Sequence, residues 1–277
     1  MINSAELTAN LFDVHYDTIA LCCLPLSYIA GKMMLVRAMH LGWHIDTFEP
    51  SLSPLDNAKK RYDFTAMTPM QLSNSLDNIH KSRTILLGGA AINDALLEKL
   101  QGKHTRAYHS YGMTETCSHV AVRSLYPKLE DYYTAVGDAS FTATNSSCLV
   151  IKAPSVVDGD LETNDIVELL DEKRFKIVGR LDDVINSGGV KIHPEKVEEK
   201  LATFITERFF IAGLDDEELG QKVVLLVEGP SQDLTKYFKK LDKFEQPKEV
   251  YFVEKFAETH TKKIDKRSVL EGLEESF

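Results

Sequence analysis

Several short stretches carry side chains and backbone freedom suited to handling phosphates and carboxylates. Ser110-Tyr111-Gly112-Met113-Thr114-Glu115-Thr116 puts an aromatic ring, a glycine, hydroxyls and a carboxylate close together. A carboxylate such as Glu115 is a hard oxygen ligand, and Mg²⁺ is commonly shared between one carboxylate and substrate phosphates. Gly88-Gly89-Ala90-Ala91 follows an apolar run and supplies a backbone able to lie flat against a planar ring. Between Gly179 and Glu198, Arg180 carries a planar fork of donors fitted to phosphate or carboxylate, with Asp182 and Asp183 directly behind it. Gly188-Gly189 permits positive φ and close approach, and Pro194 suits the first turn of a helix. Glu195 and Glu198 then stand where a helix N-terminus favours negative charge. Near the end, Lys262-Lys263 lies in a basic loop, and a mobile ammonium can offset charge on a transferring phosphoryl group. Taken singly, Gly88–Ala91 suits a tight strand-to-helix connection, the pieces of Gly179–Glu198 a surface hairpin, and the lysine loop a solvated face.

The elements that would position these residues follow from the hydrophobic pattern. Strands are expected at Thr18–Leu24, His44–Phe48, Phe64–Met67, Thr84–Leu87 and Arg106–Ser110. They alternate with helices at Ser4–Phe12, Ile29–Leu41, Pro54–Arg61, Pro69–Ile79 and Asp94–Leu100. Such alternation implies an α/β fold, a parallel sheet flanked by helices with ligands at the carboxyl ends of its strands. From about residue 120 to 178 the pattern changes to strands and turns, a β-rich subdomain, with strands at His119–Leu125, Cys148–Ile151, Ile166–Leu170 and Phe175–Val178. Beyond it, helices at Pro194–Thr206, Leu234–Leu241 and Ser268–Leu273 and strands at Phe209–Ala212, Val223–Glu228 and Val250–Val253 describe a small α+β module. The expected division is residues 1–180 as an N-terminal domain and 181–277 as a C-terminal one.

A length of 277 residues suits two domains, and 43% apolar with 27% charged residues is ordinary for a globular chain. A net charge of −10 argues against a non-specific nucleic-acid or anionic-membrane surface. Apolar runs such as Ile19–Leu26 are too short to span a bilayer, and the opening residues show no basic region before an apolar core. Cys22, Cys23, Cys117 and Cys148 lack C-x-x-C spacing, which favours buried reduced thiols and a cytoplasmic setting.

Together the motifs resemble the acyl-adenylate-forming superfamily of acyl- and aryl-CoA ligases, adenylation domains and luciferases. The stretch G-R-L-D-D-V-I-N-S-G-G-V-K-I-H-P-E-K-V-E resembles its hinge, and Y-G-M-T-E its nucleotide motif. That resemblance implies ATP, AMP, Mg²⁺ and coenzyme A as ligands of a small carboxylic acid's activation. It implies that Gly88, Gly89, Ala90, Ser110, Tyr111, Gly112 and Met113 border the nucleotide. Thr114 would meet the α-phosphate, Glu115 would help hold Mg²⁺, and Asp165 and Arg180 would reach the ribose or phosphates. The Leu161–Asp165 stretch is expected to be a turn, with Asn164 where the family has glycine. Asp182 would be the hinge of a mobile C-terminal lid, Gly188-Gly189 would border the thiol's channel, and Lys263 would be the catalytic lysine.

The run Leu24-Pro25-Leu26-Ser27-Tyr28-Ile29-Ala30-Gly31 resembles the segment lining the family's acyl pocket, for which Tyr28, Lys32 and His119 are candidates. Among branches, these runs look most like the o-succinylbenzoate–CoA ligases of menaquinone biosynthesis. The alternatives are another acyl- or aryl-CoA ligase, or a nucleotide-binding fragment impaired in catalysis. The family's phosphate-binding loop, which precedes these motifs, has no counterpart here, so the expectation is a truncated large domain. An edge laid bare in this way invites association, with a homodimer as the outcome.

Overall fold

The computed structural model of the protein describes residues 1–259 and 264–274. Contacts divide the chain into two compact units, Met1–Thr163 with Val167–Ile177, and Asn164–Ile166 with Val178–Phe277.

The first unit begins α1 (Ile2–Phe12), β1 (Ile19–Cys22), α2 (Ile29–Leu41), β2 (His44–Thr47) and β3 (Tyr62–Met67). It continues α3 (Pro69–Asn74), β4 (Ser82–Leu87), α4 (Asp94–Leu100) and β5 (Arg106–Gly112). The five strands are parallel in the order β2-β1-β3-β4-β5. Strand order reverses beside β1, and ligands of such sheets bind beyond the carboxyl ends near that reversal. Side chains alternate between two apolar layers. Leu21, Cys23, Ile85 and Leu87 pack with Leu96 and Leu100 of α4, while Ala20, Cys22 and Leu86 pack with Phe12 of α1 and Met34 of α2. Burial of both faces is why these strands read as near-continuous apolar runs.

The sheet then continues through β6 (His119–Tyr126), β7 (Tyr133–Ala135), β11 (Arg174–Arg180), β10 (Asp160–Asp171), β9 (Cys148–Lys152) and β8 (Ser140–Ala143) in that spatial order. Phe175 centres this β-rich part: its ring stacks on Tyr133 at 5.4 Å and meets Tyr111 and Phe141 edge-on at 5.1 and 4.8 Å. Such aromatic pairs add about 0.5–1.5 kcal/mol each beyond their burial.

The second unit contains a 3₁₀ turn at Leu181–Asp183, β12 (Ile185–Ser187), β13 (Val190–Ile192), α5 (Pro194–Leu201) and β14 (Phe209–Asp216). It is completed by β15 (Gly220–Glu228), α6 (Thr235–Phe238), β16 (Glu249–Val253) and α7 (Lys266–Glu274). Its sheet runs β13-β12-β15-β14, with β16 parallel to β15. Val197 and Leu201 of α5 cover one face with Ile211 and Leu225, and Val269 of α7 covers the other with Phe210 and Leu226.

The expected α/β class, β-rich extension and small α+β unit are all present. Local differences have physical causes. Pro54–Arg61 forms a turn rather than a helix, because Leu55 is drawn into the core and its carbonyl accepts the Lys81 ammonium at 3.1 Å. The helix from Pro69 stops at Asn74 and resumes as a 3₁₀ turn over Leu76–Lys81. α5 ends at Leu201, before Thr203, Ile205 and Thr206, whose branched side chains disfavour helix. α6 covers only Thr235–Phe238. Leu161–Asp165 is no turn: it lies within the extended strand β10. No helix among the described residues is long and apolar enough to cross a membrane.

Gly31 shows how closely α2 seats against the end of β1. A Cβ at this position would overlap the Pro25 carbonyl oxygen and lie 2.8 Å from its carbon. Gly31→Ala is therefore expected to lower stability by about 1–3 kcal/mol, read as a fall in the urea midpoint. An unchanged midpoint would show that the segment yields freely.

Candidate functional site

The carboxyl ends of β4 and β5 bring together the first unit's candidates. The Gly88 N–H donates to Met67 O at 3.2 Å, and the Ser110 hydroxyl donates to Leu87 O at 2.7 Å. A Cβ on Gly88 would come within 2.8 Å of Ser110 Oγ, so glycine is what lets these two strand ends meet. Gly89 turns away at φ +88°. Behind the turn, His109 Nε2 lies 2.9 Å from Ala90 O and Nδ1 lies 2.7 Å from the Tyr133 hydroxyl. Nε2 must donate to a carbonyl, so Nδ1 accepts from Tyr133. Burial, with Arg123 nearby, pushes the His109 imidazole down to about 4, against a smaller upward pull from Ala90 O. His109 thus stays neutral and pins the Gly88–Ala91 turn to β5.

Between Tyr111 and Gly112 the ladder shifts register, with Tyr111 opposite Ala121 and Gly112 opposite His119. A Cβ on Gly112 would lie 2.7 Å from His119 Cα. Thr116 holds the turn from inside: its hydroxyl receives the Met113 N–H at 3.0 Å and lies 2.6 Å from Ser118 O. Thr114 and Glu115 are left exposed at the tip, and Cys117 takes φ +61°. Tyr111 is 8% exposed and packs edge-on against Tyr133 and Phe175.

Arg37 lies directly below this turn. It is 2% exposed, on the face of α2 that also carries Met33, Met34 and Ala38. Its guanidinium donates to Ser118 Oγ at 2.7 Å and Thr8 Oγ1 at 3.1 Å, and no carboxylate pairs with it among the described residues. Ser118 Oγ, accepting from Arg37, also lies 3.1 Å from His119 Nδ1 in hydrogen-bond contact. Burial lowers Arg37 to about 10, which leaves it charged at neutral pH, and lowers His119, also beside Arg37, to about 3. A neutral His119 offers a hydrogen bond rather than a charge. Lys32 is exposed one turn from Tyr28, the residue that precedes α2. An arginine in a stripe of methionines and alanine is the sequence signal for Arg37, which lies outside the motifs that carry the family resemblance. His109 gave no such signal, since its partners are set by strand pairing.

The second unit gathers Asp165, Arg180 and Asp182. Arg180 Nη1 donates to Asp165 Oδ1 at 2.8 Å, Nη2 reaches Asp182 at 3.4 Å, and Asn164 Nδ2 donates to Asp182 at 3.0 Å. Burial opposes the Arg180 charge, yet Asp165, Asp182 and Asp183 raise it above its ordinary value. Asn164 therefore contributes its side chain, not a left-handed backbone. Gly188 and Gly189, at φ +58° and +82°, form the two-residue connection of the β12–β13 hairpin. Pro194 opens α5 as the pattern implies, but Glu195 is drawn inward and burial raises its carboxyl. Glu198 accepts the Ile211 N–H at 2.8 Å and pairs with Lys266 at 3.4 Å. Lys263 lies outside the described residues.

A pair of glycine turns at neighbouring strand ends, each fixed from behind by buried polar groups, leaves backbone and hydroxyl groups that a planar or anionic ligand could approach. No group of three or more His, Cys, Asp or Glu gathers as a metal site among the described residues. One exposed carboxylate, Glu115, is nevertheless what Mg²⁺ needs when a polyphosphate supplies the other oxygens.

Residues 1–154 match the family of AMP-binding enzymes. An acyl-CoA synthetase (AMP-forming)/AMP-acid ligase II-like protein from Dyadobacter fermentans is 37% identical, with a TM-score of 0.63 over 98% of this chain and 83% of its own. The chain belongs to the AMP-binding enzyme family. The 2-succinylbenzoate–CoA ligase of Bacillus cytotoxicus is 26% identical over 94% of this chain and 63% of its own length. The structure of E. coli MenE with a bound analogue of OSB-AMS is 25% identical, with a TM-score of 0.76 over 99% of this chain and 65% of its own. The chain thus spans a little under two thirds of the curated relatives it matches.

His109 and His119 give this region an acid limit. Both are neutral when folded, at about 4 and about 3, against 6.5 for a free imidazole. The unfolded chain binds more protons between those values, so their contribution is complete above pH 6.5 and is lost as pH falls towards 4 and 3. For His109 alone the loss is on the order of 3 kcal/mol. Urea unfolding at stepped pH should show stability falling below pH 6.5, with a shallower slope in His109→Gln. An identical slope in the variant would overturn the assignment.

Proposed function

We propose that the chain is the larger part of an ATP-dependent acid–CoA ligase acting on o-succinylbenzoate, in a cytoplasmic menaquinone-forming sequence. The observation that carries this reading is the alignment of nearly the whole chain with 2-succinylbenzoate–CoA ligases. Arg37 supports it from within, because a buried guanidinium with no acidic partner among the described residues suits the second carboxylate of a dicarboxylic acid.

In the first step a substrate carboxylate oxygen attacks the α-phosphorus of ATP, forming an acyl-adenylate and releasing pyrophosphate. In the second, the coenzyme A thiol attacks the acyl carbon, loses its proton and displaces AMP. Activation is needed because AMP is a far better leaving group than hydroxide. Tyr111, Gly112 and Met113, with Gly88, Gly89, Ala90 and Ser110, border the nucleotide, and Thr114 takes the α-phosphate. Glu115 helps hold Mg²⁺, which offsets phosphate charge when bound. Asp165 receives the ribose hydroxyls, and Arg180, held by its carboxylates, lies ready for ribose or phosphate. Tyr28, Lys32 and His119 line the acyl pocket beside Arg37. Residues 181–277 act as a lid turning about Asp182, which exchanges Lys263 for Gly188-Gly189 between the two steps. Hinges of this kind concentrate a large backbone change in a few residues.

Pyrophosphate release from ATP, Mg²⁺ and o-succinylbenzoate tests the reading, with a panel of acids as comparison. Release with another acid alone would reassign the substrate, and nucleotide binding without release would favour a fragment impaired in catalysis. Lys263→Ala should slow adenylation at least tenfold more than thioester formation from supplied acyl-adenylate. Equal losses would count against its role. Arg37→Met should raise KM for the dicarboxylic acid at least tenfold more than for a monocarboxylic one, in a variant whose circular dichroism matches the parent.

A further inference from the structure

The amino-terminal ends of the parallel strands carry a feature unrelated to the turns at their carboxyl ends. Arg61, Asp63, Arg83, His104 and Arg106 line an open cavity of about 460 Å³. The three arginines come from neighbouring strands: Arg61 immediately precedes β3, and Arg83 and Arg106 lie at the starts of β4 and β5. The parallel register sets these starts side by side, with Tyr62 opposite Ser82 and Thr84 opposite Arg106. A second cavity of about 460 Å³ shares Arg61 and His104 and adds Lys59, Lys60, His80 and Lys81. Among the described residues, Asp63 is the one carboxylate lining either cavity. It accepts the Ile19 N–H at 2.9 Å, and no ion pair joins it to these guanidiniums among the described residues.

Part of the cluster is anchored and part is open. Arg106 donates to Thr84 Oγ1 at 2.8 Å and Phe12 O at 3.3 Å, which fixes its plane. Lys60 is paired with Asp46 at 3.0 Å, and Lys81 donates to Leu55 O at 3.1 Å. Lys59, Arg61 and Arg83 are exposed and carry no ion pair among the described residues. In a chain of net charge −10, these cavities concentrate cations at adjacent strand ends, with Arg106 opposite Thr84 in the register rather than opposite another charge. A bound polyanion would meet the exposed members of that cluster. Guanidinium forks grip phosphate oxygens two at a time, and neighbouring strands stand about 4.8 Å apart. A row of three such strand ends matches a short chain of phosphates and is too brief a track for a nucleic acid.

We propose that this amino-terminal edge is a second anion site that takes a linear polyphosphate group. The group is either free inorganic polyphosphate or the tail of a nucleoside triphosphate. The site stands independently of the adenylation reading, because none of its residues belongs to the turns assigned to that chemistry.

The test is isothermal titration of the full chain with sodium tripolyphosphate and, separately, ATP without metal, at fixed ionic strength with sulfate as reference. Wild-type protein should bind tripolyphosphate saturably, and Arg61→Gln with Arg83→Gln should weaken it at least tenfold, whereas Lys128→Gln, at an exposed lysine outside both cavities, leaves it unchanged. Arg61→Lys with Arg83→Lys keeps the charge but removes the fork, and should weaken binding severalfold even if the glutamine pair disturbs the fold. Parallel loss of ATP binding would identify the nucleotide tail as the source, and retention of ATP binding the free polyphosphate. Heats no greater than those of sulfate, or binding indifferent to both arginine pairs, would overturn the proposal.

Discussion

Burial of both faces of the parallel strands is the constraint on which the first unit rests. Leu21 and Cys23 face one apolar layer and Ala20 and Cys22 the other, so little polar chemistry fits along the strands themselves. Polar function is driven to the strand ends. The carboxyl ends take the glycine turns and their hydroxyls, while the amino ends take the arginines. The same covering explains why Gly88 and Gly112 are glycines: strand ends packed this closely leave no room for a Cβ.

Several of the polar groups that enter the interior are tied to these turns. His109 links Ala90 to Tyr133, and Thr116 closes the Met113–Ser118 turn upon itself. Arg37, which also donates to Ser118 of that turn, differs in being a full charge answered by two hydroxyls and a thioether. Retaining such a charge costs stability, and a buried cation without a counter-ion favours an anionic guest. In the second unit the logic reverses: Arg180 is already matched by Asp165 and Asp182, so a nucleotide there would compete with existing pairs.

Much of this was legible in the sequence because it depends on local signals. α4 spans Asp94–Leu100 as its pattern implies, with Asn93 capping it through the Leu96 N–H, and the Gly188-Gly189 pair forms the expected positive-φ connection. Legibility failed where tertiary partners decide. Pro54–Arg61 has helical spacing, but its carbonyls are claimed by Lys81. Leu161–Asp165 reads as a turn by analogy, yet strand pairing extends it. β7 and β8 are three and four residues long, too short to show a period of their own. Arg37 and His109 owe their importance to neighbours distant in sequence, which no local pattern records.

The four free cysteines differ in what can reach them. Cys22, Cys23 and Cys148 are buried, whereas Cys117 is half-buried in the turn that follows Thr114 and Glu115. A maleimide dye added to the folded chain would therefore meet Cys117 first. The fold thus carries a natural attachment point for a fluorescent reporter, two residues from the carboxylate whose surroundings it would sense.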